Sequence, residues 1–259
     1  TLHPFEIVFF RNLFATLFVI PVVSRYGWSI LRSKRFGLHF ARSSLNVINH
    51  LLFFTAVALT PLAELVALSF TSPIFTTVLA VFIFGEIVGC RRWAAIIIAF
   101  AGTLIILRPG LENLTPGHGI TLCAALTWAG VLLFIKSLSR TEHSITIVAY
   151  STFLMIPLSL IPALFVWQWP TTTEFIWLTF IGIIAGCAQF FITQALHKAE
   201  LNIVMPFDFT KLIWVSVIAF LFFEEIPDLW AITGGMIVLG SCGYIVRREA
   251  MLRKTDKGD

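Results

Sequence analysis

The sequence predicts an all-α integral membrane protein in which two inverted repeats form one helical bundle. Three observations support this fold class: an apolar composition, a succession of long apolar segments, and a similarity between the two halves of the chain. Of the 259 residues, 58% are hydrophobic and 12% are charged, and the mean hydropathy is +0.91. Such a chain has too little polar surface to cover a water-soluble globule.

Nine apolar segments of 16 to 24 residues follow one another along the chain. At about 1.5 Å rise per residue, most are long enough to cross a hydrocarbon core of about 30 Å. Their apolar residues are continuous rather than alternating, which predicts helices and excludes a barrel. The segments lie at residues 5–23, 37–59, 62–84, 92–107, 119–137, 144–167, 174–196, 201–223 and 229–246.

Lysine and arginine are distributed unequally between the two predicted sides of the membrane. Fifteen of the 18, Arg42 among them, fall in one class of connections, whereas the other class holds only Arg108 and two lie inside segments. Because these residues concentrate in cytoplasmic loops, the first class and the C-terminal tail are predicted to be cytoplasmic. The same alternation places Thr1 outside. A first span absent from this sequence would explain that position and would bring the bundle to ten helices.

The end of the chain repeats its first third, which indicates internal duplication. FFTAVAL at 53–59 resembles FFITQAL at 190–196, and SFTSPIFTTVLAVFIFGE at 69–86 resembles DFTKLIWVSVIAFLFFEE at 208–225. An odd number of spans in each copy inserts the two copies in opposite orientations. The predicted organisation is a first repeat at 1–110 without its first span, a second repeat at 111–247, and a cytoplasmic tail at 248–259.

Three motifs occur in order along the chain: HPFEIVFFRN, then ALTPLAELVALSFTSPIF followed by FGE, then MPFDFTKLIW followed by FFEEIPD. Together they resemble the drug/metabolite transporter superfamily and, more narrowly, its EamA-type carriers, over essentially the whole chain. The resemblance implies a ten-helix transporter bundle of two five-helix halves in a bacterial cytoplasmic (inner) membrane, moving a small metabolite without ATP hydrolysis. Similar members carry riboflavin, S-adenosylmethionine or amino acids, and PFDFTKLIW is most similar to the riboflavin-transporter type.

Asp208 and Lys211 stand three residues apart inside the eighth apolar segment. On a helix they point to nearly the same face and can pair. An ionisable residue at that depth costs about 2.5 to 3.5 kcal/mol on insertion scales. Two interpretations are open: the charges neutralise each other, or they bind substrate, with Asp208 accepting a coupling proton while Lys211 binds an anionic group.

Two prolines are predicted to interrupt corresponding segments of the inverted halves. Pro206 leaves the carbonyl of Asn202 without its helical partner, and Pro73 does the same for the carbonyl of Ser69. Paired interruptions of this kind indicate a central site in a carrier. Pro73 and Pro206 are therefore candidate hinges, and Ser69 and Thr71 candidate substrate contacts. Membrane helices also tolerate proline that has no role in transport.

Arg11 lies about two turns into the first segment. Glu6, five residues earlier, is about 140° round the helix and is a poor partner for it. A structural ion pair with another helix and a substrate anchor are both open for Arg11. Trp214, one turn beyond Lys211 on much the same face, is a candidate for stacking on a flat ligand ring.

Polar side chains also cluster in the second segment and in its counterpart, the seventh. Asn46, Asn49 and His50 share part of one turn, and Gln189 and Gln194 lie in the seventh segment. Amides at matching depths either bind a polar ligand or hold helices together. Asn49 is taken as a candidate substrate contact.

The predicted function is secondary transport of a small polar metabolite across the bacterial inner membrane by alternating access, with or without a coupling proton. The alternatives are an intramembrane enzyme, for which neither HExxH nor GxSxG occurs, and a channel or assembly subunit. No catalytic residue, cofactor or metal site is predicted. The expected partners are a small-molecule substrate and the lipid bilayer, without nucleic acid, for a monomer or a homodimer.

Overall fold

The computed structural model describes residues 2–69, 71–84, 94, 97–98, 100–102, 104–105, 115–198, 214, 218, 221–222 and 229–256. Every regular element among these residues is a helix, and no strand occurs among them. The all-α class predicted from the continuous apolar segments is therefore confirmed. The total of ten helices stays a prediction, because it depends on residues outside these ranges.

The helices lie close to the predicted apolar segments. They are α1 (Pro4–Tyr26), a 3-10 helix (Trp28–Leu31), α2 (Phe36–Leu59), α3 (Leu62–Ser69), α4 (Ser72–Phe84), α5 (Pro116–Ser139), α6 (Ser144–Leu164), α7 (Thr172–Lys198) and α8 (Leu229–Asp256). Both ends of α1, α2, α5, α6 and α7 fall within three residues of the predicted bounds. α8 continues past the predicted end of its span into the predicted tail.

α2 is less apolar than the other long helices of unit 1. Among the described residues, α1, α5, α6 and α7 are long and apolar enough to cross a membrane by length and composition. α2 has the length, at 24 residues, but it falls short in apolarity. The reason is a series of polar residues on this helix: His39, Arg42, Ser43, Asn46, Asn49 and His50.

The third predicted segment is interrupted next to Pro73, as expected from the missing proline N–H. α3 ends at Ser69 and α4 begins at Ser72. Thr71 between them forms a turn, in which its N–H donates to the carbonyl of Leu68 at 3.0 Å. The predicted break is confirmed. The role of Pro73 as a hinge stays a prediction.

The chain divides into two units, which are described separately. Unit 1 comprises residues 1–55 and 131–198, and unit 2 comprises residues 56–130 and 199–259. In unit 2, α3 packs against α8. In unit 1, α1 packs against both α6 and α7.

Two apolar clusters hold α1 in unit 1. The first contains Phe9, Phe10, Phe14, Ala163 and Leu178. The second contains Val19, Val23, Ile145, Val148 and Ala149. Because lipid tails are as apolar as these side chains, close packing rather than escape from water is what such contacts contribute in a bilayer.

α1 and α7 approach most closely at two glycines. A Cβ atom added to Gly182 would lie 2.4 Å from the Cβ of Phe14, and one added to Gly186 would lie 3.0 Å from the carbonyl oxygen of Ala15. Neither position has room for a side chain. The small-xxx-small pattern thus brings the two backbones together, as such patterns do in membrane helices.

Glu6 fixes the start of α1 rather than pairing with Arg11. One carboxylate oxygen accepts the N–H of His3 at 2.9 Å, and the imidazole of His3 accepts the N–H of Phe5 at 3.3 Å, which completes a capping box. The other oxygen accepts the N–H of Gln168. The buried carboxylate therefore satisfies backbone donors at the helix end.

Candidate functional site

Unit 1 contains a polar cleft enclosed by α1, α2, α6 and α7. In this conformation its cavity volume is about 20 Å³, which is room for about one water molecule. The lining residues are Arg11, Asn12, Ala15, Asn46, His50, Ser151, Thr152, Met155, Ala185, Gly186 and Gln189.

Arg11 places a positive charge in this cleft. Its Nη1 atom lies 3.2 Å from Nε2 and 3.4 Å from Nδ1 of His50, and 3.4 Å from Oδ1 of Asn12. The guanidinium can only donate, so one of the two ring nitrogens of His50, the unprotonated one, is its acceptor. Among the described residues, Arg11 has no carboxylate partner.

The amides of the cleft are incompletely used. The Nδ2 atom of Asn46 donates to the sulfur of Met155 at 3.3 Å, and the hydroxyl of Ser151 donates to the same sulfur at 3.4 Å. A thioether is a weak acceptor. The Oδ1 atom of Asn46 and the Nε2 atom of Gln189 are buried and have no hydrogen-bond partner among the described residues. The cleft therefore offers one amide acceptor and one amide donor beside a cation.

The arrangement suits a ligand that carries a carboxylate together with a hydrogen-bond donor. A guanidinium binds carboxylate oxygens through paired N–H groups. The Gln189 amide donates to the same kind of group, whereas Asn46 Oδ1 accepts from an ammonium or amide. No cluster of histidine, cysteine or acidic residues that would hold a metal ion occurs in the described part of the chain.

The structure brings together several of the residues that the sequence analysis singled out. Arg11 lines the cleft with Asn46, His50 and Gln189, which come from both polar segments. Asn49, the amide taken as a substrate contact, is buried on α2 but does not line the cleft. Its role as a substrate contact stays a prediction.

Ser69 and Thr71 belong to unit 2 and use their hydroxyl protons locally. The Ser69 hydroxyl donates to the carbonyl of Leu65 at 2.7 Å, and the Thr71 hydroxyl donates to the carbonyl of Leu68 at 2.7 Å. Only their oxygen lone pairs remain for other contacts. Both hydroxyls thereby help to terminate α3 beside the break.

The other predicted site residues belong to the eighth apolar segment of the sequence. Trp214 is 67% exposed. Asp208, Lys211 and Pro206 lie outside the described residues, so the predicted charge pair and the second hinge stay predictions.

Arg42 was expected in a cytoplasmic connection, and this expectation is wrong. The residue lies in the second turn of α2 with 0% of its surface exposed. Its Nη1 atom donates to the carbonyl oxygen of Ile147 on α6 at 3.0 Å. The charge count assigned Arg42 to a loop because it lies near the end of an apolar segment. In the structure, the contact of α2 with α6 buries its side chain.

The polar residues contributed by α6 were missed at the sequence level. Ser151, Met155 and Ser159 recur every four residues, so they share one face of the helix. Ser159 accepts from the amide of Asn12 at 3.4 Å and donates to the carbonyl of Met155 at 2.6 Å. Small hydroxyls spaced this way in an apolar run are the signal that was available.

Unit 2 contains a separate hydrogen bond between His118 and Glu64 near the starts of α3 and α5. The Nε2 atom of His118 lies 2.9 Å from the carboxylate of Glu64. The N–H of Thr115 donates to Nδ1 of His118 at 3.2 Å. Because Nδ1 accepts, Nε2 carries the proton and donates to Glu64. This hydrogen bond joins the two helices.

Comparison with known proteins identifies the family. The model of the EamA-like transporter family matches residues 1–108 and again residues 115–247. The chain belongs to this family. The predicted superfamily and the predicted class, a multi-pass membrane transporter, are thereby confirmed.

Individual EamA-like relatives carry more specific names. An S-adenosylmethionine uptake transporter of Rickettsia bellii is 27% identical over 255 residues, which span 98% of this chain and 88% of the relative. A riboflavin transporter of Vibrio cholerae is 32% identical over 249 residues, 94% of this chain and 83% of the relative. A pseudopaline exporter of Pseudomonas aeruginosa is 26% identical over 258 residues, 96% and 88% respectively.

A solved crystal structure also resembles this EamA-like chain. The two share 16% sequence identity with a TM-score of 0.70, over 95% of this chain and 88% of the other. The likeness concerns the fold alone. It agrees with the all-helical architecture.

Proposed function

We propose that this protein is a secondary carrier for a small metabolite that bears an amino-acid group, with S-adenosylmethionine as the first candidate. The cargo's carboxylate binds Arg11 and Gln189, and its amino group donates to Oδ1 of Asn46. The observation that carries the proposal is Arg11, a cation facing an open cleft with no acid partner among the described residues. Relatives named for S-adenosylmethionine uptake support the choice of cargo.

The transport cycle follows from the duplicated architecture. Two inverted copies of one helical unit permit two packings of similar energy, one open to each side of the membrane. We assign alternating access to this pair of states, in the inner membrane with the C-terminal tail in the cytoplasm. Asp208 accepts the coupling proton in this scheme, and Pro73 and Pro206 serve as hinges.

Riboflavin is the second candidate cargo, because a riboflavin transporter is 32% identical to this chain. Riboflavin carries no carboxylate, and its ring amide and ribityl hydroxyls would bind Asn46 and Gln189 instead. Arg11 would then contribute little. The two candidates therefore differ in how strongly they depend on the guanidinium.

The test is flux through the full-length protein reconstituted in liposomes, with labelled S-adenosylmethionine and labelled riboflavin. We expect saturable uptake of the first, accelerated by the same compound on the opposite side. In Arg11→Gln the Kd of S-adenosylmethionine should rise about 10- to 150-fold, because a hydrogen bond to a charged group contributes about 1.5 to 3 kcal/mol.

Arg25→Gln is the matched control, because Arg25 is an exposed cation in the last turn of the same helix. It should leave both fluxes unchanged. Riboflavin flux that ignores Arg11→Gln and is not inhibited by S-adenosylmethionine would reject the amino-acid cargo. Linear, non-saturable conductance would reject the carrier itself.

A further inference from the structure

α2 carries a continuous polar stripe on its buried face. His39, Arg42, Asn46 and His50 follow one another at spacings of three or four residues, which places them on one side of a helix, and Ser43 lies next to Arg42. Four of them are buried, and His50 faces the cleft. From residue 39 to residue 50 the stripe is about 16 Å long, roughly half the thickness of a hydrocarbon core.

Much of the hydrogen-bonding capacity along this stripe is unused. Both ring nitrogens of His39, the Nε and Nη2 atoms of Arg42 and the hydroxyl of Ser43 are buried without a hydrogen-bond partner among the described residues. The same holds for the hydroxyl of Ser144, which lies one turn before Ile147 on the facing helix. We refer to these four residues, His39, Arg42 and Ser43 on α2 and Ser144 one turn before the carbonyl that Arg42 binds, as the Arg42 cluster.

The chemistry of the Arg42 cluster selects an anion. Arg42 contributes a charge and two unused groups that only donate, and each hydroxyl adds another donor. The carboxylate of Glu142 lies within electrostatic range of His39, but it accepts from the hydroxyl of Ser33 at 2.6 Å. Arg42 has no carboxylate partner in the described part of the chain. A buried charge of this kind destabilises the protein unless a ligand compensates it.

The Arg42 cluster lies close to the cleft. Asn46, one turn beyond Arg42 on α2, lines the cleft together with Arg11 and His50. Its Oδ1 atom has no hydrogen-bond partner among the described residues. The stripe thus has a cation near each end, and the end that begins with His39 is the end predicted to be cytoplasmic.

We propose that the Arg42 cluster is a second anion-binding site, which holds the carboxylate of the cargo when unit 1 opens between α2 and α6. The carboxylate moves between Arg42 and Arg11 along the polar stripe. This inference rests on the proposed function for the identity of the cargo. The preference of the cluster for an anion follows from its own residues.

The test measures charge selectivity with small thiol reagents. In a full-length background with its four cysteines replaced by alanine, Ser43→Cys is treated with the anionic ethylsulfonate and the cationic ethyltrimethylammonium methanethiosulfonates. The ratio of the two rates is normalised to that of a free thiol in solution. We expect the anionic reagent to be favoured by at least about tenfold, as a nearby unit charge in low dielectric requires.

Two further variants identify the source of the selectivity. Arg42→Gln should bring the normalised ratio close to one, whereas Arg25→Gln should leave it unchanged. Ser144→Cys provides a second position from the facing helix if Ser43→Cys does not fold. Equal rates for both reagents, which a merely hydrated polar cluster would give, overturn the proposal. The absence of labelling at both positions overturns it as well.

Transport kinetics separate this site from the Arg11 cleft. Arg42→Gln should lower the maximum flux about tenfold while the Kd of S-adenosylmethionine changes less than about threefold, because Arg42 acts after the cleft has bound the cargo. Selective labelling in a protein that does not transport S-adenosylmethionine would reject that cargo and retain the anion site. Transport of S-adenosylmethionine with equal labelling rates would retain that cargo and reject the anion site.

Discussion

α2 and α7 occupy equivalent places in the two halves of the chain, yet they differ in what they present. FFTAVAL in α2 aligns with FFITQAL in α7 at an offset of 137 residues. At that offset the polar stripe of α2 corresponds to mostly apolar residues of α7. His39, Arg42, Ser43, Asn46, Asn49 and His50 correspond to Ile176, Thr179, Phe180, Ile183, Gly186 and Cys187.

The same face is therefore buried and polar in one copy and largely exposed and apolar in the other. Phe180 is 56% exposed and Ile183 39%, whereas Arg42 and Ser43 are 0% exposed. α7 instead buries Leu178, Gly182 and Gly186, and the two glycines lie against α1. Duplication gave both copies a similar helix. In this chain α2 carries the buried polar side chains and α7 the closely packed glycines.

The largest expected effect is on stability at the polar helix. Arg42→Met removes a buried charge that no described residue neutralises, so the free energy of unfolding should rise by about 1 to 4 kcal/mol. Thermal unfolding in detergent measures this change. Arg25→Met, on an exposed cation, should stay within about 0.5 kcal/mol. A lower Tm for Arg42→Met would mean that its bond to Ile147 holds α2 to α6 and outweighs the charge.

The packing helix should respond in the opposite direction. Gly182→Ala places a Cβ atom 2.4 Å from the Cβ of Phe14, so the free energy of unfolding should fall by about 1 to 3 kcal/mol. Gly119→Ala is the control, because no atom lies within 4 Å of its added Cβ. That substitution should raise stability by about 0.5 to 1 kcal/mol through lost backbone freedom. Equal effects of the two substitutions would contradict the close approach of α1 and α7.

The smallest effect is expected when a polar side chain found on α2 is introduced at the corresponding position of α7. Ile183→Asn gives α7 the side chain that Asn46 gives α2, but at an exposed position, so flux should change by less than about twofold. Asn46→Leu removes neutral hydrogen bonds in the cleft and should raise the Kd about 2- to 12-fold. Flux assays on both variants check the contrast. A strong loss in Ile183→Asn alone would assign the binding face to α7.

The helices were predictable because long apolar runs are a strong local signal. The break beside Pro73 was predictable for a similar reason, since a missing N–H is a property of one residue. Arg42 was misplaced because sequence position says only that a cation lies near a segment end. Its burial depends on contact with Ile147, which is far away in the sequence.

The cleft was predictable only in part. Arg11, Asn46, His50 and Gln189 stood out as polar residues within apolar segments. Met155 did not, because a thioether becomes part of a polar site only when Asn46 and Ser151 donate to it. Such groupings arise from tertiary packing, which periodicity does not reveal.

The glycine contact brings the backbones of α1 and α7 close together in unit 1. A Cβ atom at Gly182 would lie 3.0 Å from the carbonyl oxygen of Arg11, so the residue that supplies the cation has its backbone directly on α7. We therefore expect α1 and α7, which carry Arg11 and Gln189, to stay together at this contact. α2 reaches α6 through Arg42 and the long contact of Asn46 with Met155. If the cleft widens, we expect α2 to move against α1 and α7 and these side-chain contacts with α6 to change.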